Sequence, residues 1–197
     1  MKVTLTLDDF SIENNRLDLL FKLKEHFPNF KVNLFTVPND FKHPIKHRDE
    51  ELKKIKECLD WIQIIPHGLR HNSSEAKRWN YEQFRYAVIP EIERIFERDG
   101  LPFERGFKSP HWDTHSNVAQ ALTDLGWWQA ISPKRKDQPH ARRFYIHDFT
   151  INEDFPLKDI KLQGHINNTS PDDLELNFNN LLKIPKNATW HFVSEHL

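Results

Sequence analysis

Apolar and polar positions alternate at two periods along this chain, and the period switches repeatedly between them. Val3 to Leu7 alternates as a strand and stops at Asp8-Asp9, after which Leu17, Leu20, Phe21, Leu23, Lys24 and Phe27 fall at helical spacing. Lys31 to Val37 reads as a strand closed by Pro38. Asp49 to Asp60 reads as a charged amphipathic helix with Leu52, Ile55 and Leu59 on one face. Trp61 to Ile65 is a continuous apolar run ending at Pro66, the pattern of a strand buried on both faces of a parallel sheet. Asn80 to Arg98 is the longest helical pattern, stopped by Asp99-Gly100. Gly106 to Ser109, Trp127 to Ser132, Phe144 to Thr150, Ile160 to Gln163 and Thr189 to Ser194 read as strands. A helix from an N-cap at Ser116 to Leu125 closes at Gly126, and another covers Asp172 to Leu182.

Strand and helix units thus alternate from end to end, with no fixed-period repeat, no low-complexity linker and no shift in composition. This predicts an α/β fold with a mainly parallel sheet and a single domain over 1–197. An open sheet and a barrel both satisfy the pattern.

Composition narrows the function. The 197 residues include 15 Phe, 6 Trp and 3 Tyr, too many bulky groups for a disordered chain. The 5 glycines are spaced for neither a dinucleotide fingerprint nor a P-loop, because both need glycine where backbone approaches phosphate. With 28 Lys+Arg against 29 Asp+Glu, the net charge of −1 argues against general nucleic-acid binding. The single Cys58 excludes an internal disulfide and a cysteine-rich zinc module, and reads as packing. No apolar stretch has the length of a signal peptide or a membrane helix, so a cytoplasmic protein without membrane insertion is expected.

The 12 histidines carry the candidate chemistry. They form three His-xxx-His pairs, where about 0.7 would arise by chance, so context must choose among them. His43/His47 lies in a basic, proline-broken loop and reads as solvated. His111/His115 follows Pro110 and reads as lining a site. His67/His71 follows the buried strand, while Asp8-Asp9 ends another, and ligands collect at the C-terminal ends of parallel strands. Two imidazoles and a carboxylate leave open positions on a cation, which suits catalytic Zn²⁺. The same residues also suit plainer roles, a turn or helix N-cap for Asp8-Asp9 and a surface turn for His67/His71. Trp61, Trp79, Trp127, Trp128 and Trp190 read as core. Lys134-Arg135-Lys136 and Arg142-Arg143 read as a solvated basic loop that also suits a phosphate-bearing ligand.

Thr6-Leu7-Asp8-Asp9 followed by His67-Gly68-Leu69-Arg70-His71 resembles the first two motifs of the polysaccharide deacetylases (carbohydrate esterase family 4), usually TFDD and H[ST]xxH. Gly106 to His111 resembles the third motif, usually FRPPY. Leu122 to Trp127 is similar to the helix that follows it, Leu162-Gln163-Gly164-His165 to the final motif, and Phe192 to Glu195 to the last strand. The resemblance implies a distorted (β/α) barrel of about seven strands that removes acetyl groups from acylated sugars with a divalent metal, Zn²⁺ foremost. By position, Asp9, His67 and His71 would hold the metal, Asp8 would be the general base and His165 the general acid. Lys108 would stand in the catalytic machinery, His111 would offer a backbone N–H to the oxyanion, and Trp112 would bind substrate as a platform for the sugar ring. The implied partner is a small or carrier-linked acylated sugar.

Three departures from the pattern stand out. Lys108 replaces the usual Arg, exchanging a planar fork for a point charge. Gly68 replaces the hydroxyl residue of the second motif, removing one orienting hydrogen bond. The fourth motif, usually DxxDW, has no counterpart in Ser132 to Arg135, leaving Asp137, Asp148 and Asp154 as undiscriminated candidates for tuning His165. These departures keep two alternatives open, a catalytically degenerate sugar- or partner-binding module and a hydrolase of a non-sugar amide.

Overall fold

A computed structural model describes residues 1–38 and 48–197, so the His43/His47 pair lies outside the described residues. Nine strands form two sheets among those residues. Strand β1 (Lys2–Phe10) is followed by helix α1 (Leu17–His26), β2 (Val32–Thr36), α2 (Arg48–Lys56) and β3 (Ile62–Pro66). Next come α3 (Glu75–Arg78), α4 (Tyr81–Gln83), α5 (Ile89–Asp99), β4 (Gly106–Lys108), α6 (Ser116–Asp124) and β5 (Trp128–Ile131). The chain ends with β6 (Arg143–Ile146), β7 (Phe149–Thr150), β8 (Ile160–His165), α7 (Leu174–Leu181) and β9 (Thr189–Trp190). The α/β alternation is therefore as expected, and the described strand registers are all parallel.

The described residues divide into two compact units, and each has its own aromatic core. The first holds 1–34, 48–63 and 147–196. Its sheet runs in the order β3-β2-β1-β8-β7, with β9 also on β1. Val3, Leu5 and Leu7 of β1 and Leu162 of β8 are fully buried, and so are Thr4 and Thr6 on the opposite face. A strand buried on both faces tolerates polar residues only where they find partners, and Thr6 Oγ1 donates to the Leu162 carbonyl at 3.1 Å. Phe27 and Phe30 pack against Trp190 with centroids 5.0 and 4.8 Å away, and Trp61 lies against Phe21 and Phe30.

The second unit holds 35–38 and 64–146, with the sheet β4-β5-β6. Phe84 on Phe107, Phe96 on Phe103, Phe103 on Trp127 and Phe35 on Trp128 build its core. The expected tryptophan core is thus present, with Trp61, Trp127, Trp128 and Trp190 buried and Trp79 half-buried. Cys58 is buried just beyond α2, where desolvation first and then the charges of Asp60 and Glu57 push its thiol up to about 11. An unreactive packing thiol results.

Several element boundaries differ from expectation for identifiable reasons. The pattern from Asn80 to Arg98 is not one helix. Asn80 caps α4 through a capping box with Gln83, a π turn covers Phe84–Val88, and only then does α5 begin. Pro90 explains the break, since it has no N–H to give to the preceding turn and the ladder widens around it. His115, not Ser116, caps α6, its Nδ1 accepting the Asn117 N–H at 3.1 Å. Phe144 to Thr150 is two strands, β6 and β7, one in each sheet. Strand β1 continues through Asp8-Asp9 instead of stopping there, because β8 pairs with it as far as Asp8↔His165.

Candidate active site

Within the first unit, that register brings together the Asp8-Asp9 pair and His165. Asp8 is buried at 3% exposure; its Oδ2 accepts from Gln163 Nε2 at 3.2 Å and lies 3.7 Å from His165 Nε2. The Asp9 Oδ2 atom accepts from Asn168 Nδ2 at 3.3 Å, while its backbone carbonyl accepts from Asn14 Nδ2 at 2.9 Å. His165 is half-buried. Its Nδ1 lies 3.0 Å from Asp172 Oδ1 and 3.2 Å from Ser170 Oγ, and its N–H donates to the Asp172 carbonyl at 2.9 Å. Ser170 in turn donates to Asp172 Oδ1.

This environment fixes the ionisation of the pair. Burial pulls the His165 imidazole down, but its hydrogen bond to Asp172 and the charges of Asp8, Asp172 and Asp9 outweigh burial, so its pKa is raised. Burial likewise pushes Asp172 up, and its bonds to His165 and Ser170 hold it below the ordinary carboxylate value instead. Asp172 is the partner of His165 that sequence reasoning missed. None of the three candidates fills that place: Asp137 and Asp154 are exposed, and Asp148 Oδ2 accepts the Lys161 N–H at 2.9 Å. The only sequence signal was proximity, since Ser170-Pro171-Asp172 follows the site histidine by a few residues.

Within the second unit, the residues that follow β3 and strand β4 deliver the other candidates. The His67 N–H donates to the Thr36 carbonyl at 2.7 Å and the Gly68 N–H to the Lys108 carbonyl at 3.0 Å. His67 Nδ1 also meets the Lys108 carbonyl, at 3.1 Å. A carbonyl can only accept, so Nδ1 carries the proton and Nε2 the lone pair in the neutral ring. That is the arrangement a metal-ligating histidine needs. The His71 ring centroid lies 4.8 Å from that of His67 and 5.3 Å from that of His111. Lys108 is 1% exposed, and its Nζ sits 3.5 Å from the Trp112 ring centroid and 5.1 Å from that of Phe35. The ammonium is therefore held by aromatic faces, one of them belonging to the expected sugar platform.

Asp9 in the first unit and His67 and His71 in the second each offer one possible ligand atom. Two imidazole nitrogens and a carboxylate oxygen are a donor set that fits a divalent cation such as Zn²⁺. Backbone strain gathers at the same residues. Six non-glycine residues have left-handed φ among those described: Asp9, Arg16, His71, Ser74, His111 and Trp112. Four of the six are site candidates named from sequence, and such strain persists only where surrounding structure imposes it.

No protein-family model and no curated protein sequence matches the chain. Solved structures do. One is the chitin deacetylase of the fungal pathogen Colletotrichum lindemuthianum, with a TM-score of 0.66 and 14% identity over 98% of this chain and 86% of that one. A second is a family 4 acetyl xylan esterase from Clostridium thermocellum in complex with a cobalt ion, with a TM-score of 0.59 and 14% identity over 99% and 89%. A third is a mutant of a family 4 pseudoenzyme with restored enzymatic activity, with a TM-score of 0.62 and 13% identity over 98% and 66%. The chain thus has the α/β fold of the polysaccharide deacetylases of carbohydrate esterase family 4, as its motifs led us to expect. Identities this low make it a divergent example of that fold.

Proposed function

We propose that this chain is a metal-dependent deacylase of acetylated sugars. Asp9, His67 and His71 hold the cation, and the observation that carries the reading is this donor set, two imidazoles and a carboxylate, with the Lys108 carbonyl fixing the His67 tautomer that leaves Nε2 to bind. A divalent cation in such a site supplies an acidified water and polarises an acyl carbonyl. Asp8 acts as general base, its Oδ2 steadied by the Gln163 amide. The His111 backbone N–H takes up charge developing on the acyl oxygen, and the strained turn at His111 and Trp112 fixes where that donor points. His165 delivers a proton to the leaving nitrogen or oxygen; its raised pKa favours the charged form that carries that proton. Asp172 orients that imidazole through Nδ1. The half-buried Trp112 ring, over which Lys108 Nζ lies, serves as the platform for the sugar.

Support for an acetylated sugar comes from the chitin deacetylase and acetyl xylan esterase among the similar structures, and zinc is the cation best matched by the donors. The test combines elemental analysis with turnover of an N-acetylated chromogenic sugar. One divalent ion per chain and chelator-sensitive hydrolysis are expected. A protein that takes up neither Zn²⁺ nor Co²⁺ would overturn the proposal.

A second reading, a degenerate binding module on this scaffold, is favoured by Lys108 in place of the usual Arg and by the pseudoenzyme origin of one similar structure. Stoichiometric metal without hydrolysis across a panel of acyl sugars is the result that selects it.

A further inference from the structure

The turn from His67 to His71 carries both imidazoles of the proposed cation site, yet it contains no regular structure, and Gly68 and His71 both have left-handed φ, +65° and +56°. What holds it is visible in its backbone. Four successive N–H groups are all placed: His67 on the Thr36 carbonyl, Gly68 on the Lys108 carbonyl, and Leu69 and Arg70 on the carboxylate of Glu75. Leu69 donates to Glu75 Oε1 at 2.8 Å, and Arg70 to Oε2 at 3.2 Å and Oε1 at 3.4 Å. Glu75 is only 8% exposed, an unusual position for a carboxylate, and its contacts with the turn account for it.

We propose that Glu75 is a positioning residue for the cation site, clamping the turn that presents His71, and that glycine at 68 is what admits its carboxylate. The inference rests on the reading of His67 and His71 as ligands. Its second leg is steric. A Cβ at Gly68 would stand 2.0 Å from Glu75 Oε1 and 2.6 Å and 2.9 Å from the Pro110 ring. A side chain at 68 and the Glu75 carboxylate therefore compete for one space. The departure from the motif at 68 and the buried acid seven residues on form a single substitution of parts, one brace for the turn replacing another. Glu75 touches neither substrate nor cation; it acts through the backbone between the two histidines.

The test is cation affinity, measured by competition with a chromophoric chelator for Zn²⁺ and by the visible spectrum of the Co²⁺ protein, on wild type, Glu75→Ala, Glu75→Gln, Gly68→Ser and Gly68→Ser/Glu75→Ala. Loss of a residue that orients ligands from behind weakens binding by about 10- to 100-fold, which is the loss expected for Glu75→Ala. Glu75→Gln keeps one carbonyl oxygen for Leu69 and loses less. Because Gly68→Ser already expels the carboxylate, adding Glu75→Ala to it costs little more, so the two losses do not multiply. Thermal melts of the metal-free proteins separate loss of the clamp from general unfolding. Wild-type affinity within twofold in Glu75→Ala overturns the proposal, as do losses that multiply in the double variant. If wild type itself binds no cation, the reading of the ligands has failed and not the clamp alone. If Glu75→Ala does not fold, the ranking of Glu75→Gln against Gly68→Ser decides.

Discussion

Replacing Asp172 by Asn removes a charge and leaves the shape of the turn almost unaltered. The bond at stake runs from His165 Nδ1 to Asp172 Oδ1 at 3.0 Å, between groups that are both largely buried. A hydrogen bond to a charged partner contributes about 1.5–3 kcal/mol. If that support is felt in the transition state, where His165 gives up its proton, about 1.4 kcal/mol per decade converts it to roughly 10- to 150-fold in kcat. Ser170 Oγ remains 3.2 Å from the same nitrogen and can accept its proton, so the lower half of that range is expected. The pH profile moves as well. His165 must be protonated to act as the acid, so activity falls as pH rises through its pKa. Asp172 helps to raise that pKa against the opposing effect of burial, so in Asp172→Asn the alkaline limb moves to lower pH. Steady-state kinetics on a chromogenic acyl sugar across the pH range, with metal content checked on the same samples, measures both. A variant with kcat within twofold of wild type and an unshifted alkaline limb would refute the role given to Asp172.

Asp8→Asn is expected to retain its cation at wild-type stoichiometry while turnover falls by at least ~10²-fold, because the base and not a ligand is lost. Full activity in that variant would remove Asp8 from the mechanism. Gly164→Ala places a Cβ 2.5 Å from Ile151 Cδ1 and 2.8 Å from the Asp172 carbonyl oxygen. Overpacking of this kind costs about 1–3 kcal/mol, which for a chain of this size lowers Tm by roughly 2–12 °C by calorimetry. No measurable fall in Tm would mean that the neighbourhood of Asp172 yields freely. Near the C-terminus, burial raises the pKa of Glu195, but hydrogen bonds and charge from Lys31 and His191 outweigh it and hold the carboxyl below its ordinary value. Its contribution to stability is therefore present above the ordinary glutamate range and lost as pH falls through the lowered value. The Tm gap between wild type and Glu195→Gln should narrow on acidification, and a gap independent of pH would exclude the linkage.

The sequence made the chemistry of the strands legible, because β1, β3 and β8 each end in residues of unusual type. Asp8-Asp9 and His67 stand out from pattern alone, since a buried strand announces itself by an apolar run and a polar stop, whereas His165 is singled out only by the resemblance to the family's final motif. What stayed hidden depends on partners distant in sequence or on backbone geometry. The end of β1 was misjudged because pairing with β8, not local polarity, decides where a strand stops. Asp172 was read as a helix start, and only the fold turns its side chain back onto His165. Glu75 gave no signal, since a glutamate opening a short helix is ordinary until its carboxylate is seen under two loop N–H groups. The π turn ahead of Pro90 was hidden by apolar spacing that remains helical on both sides.

The left-handed backbone at Asp9, His71, His111 and Trp112 bears on how such a chain changes over generations. Each residue gives up about 1–2 kcal/mol that glycine in its place would recover, at the expense of its side chain. Random substitution acting on a scaffold with no use for those side chains would tend to release that strain. At each of these four positions a change to glycine therefore relaxes the backbone and deletes the side chain in one step.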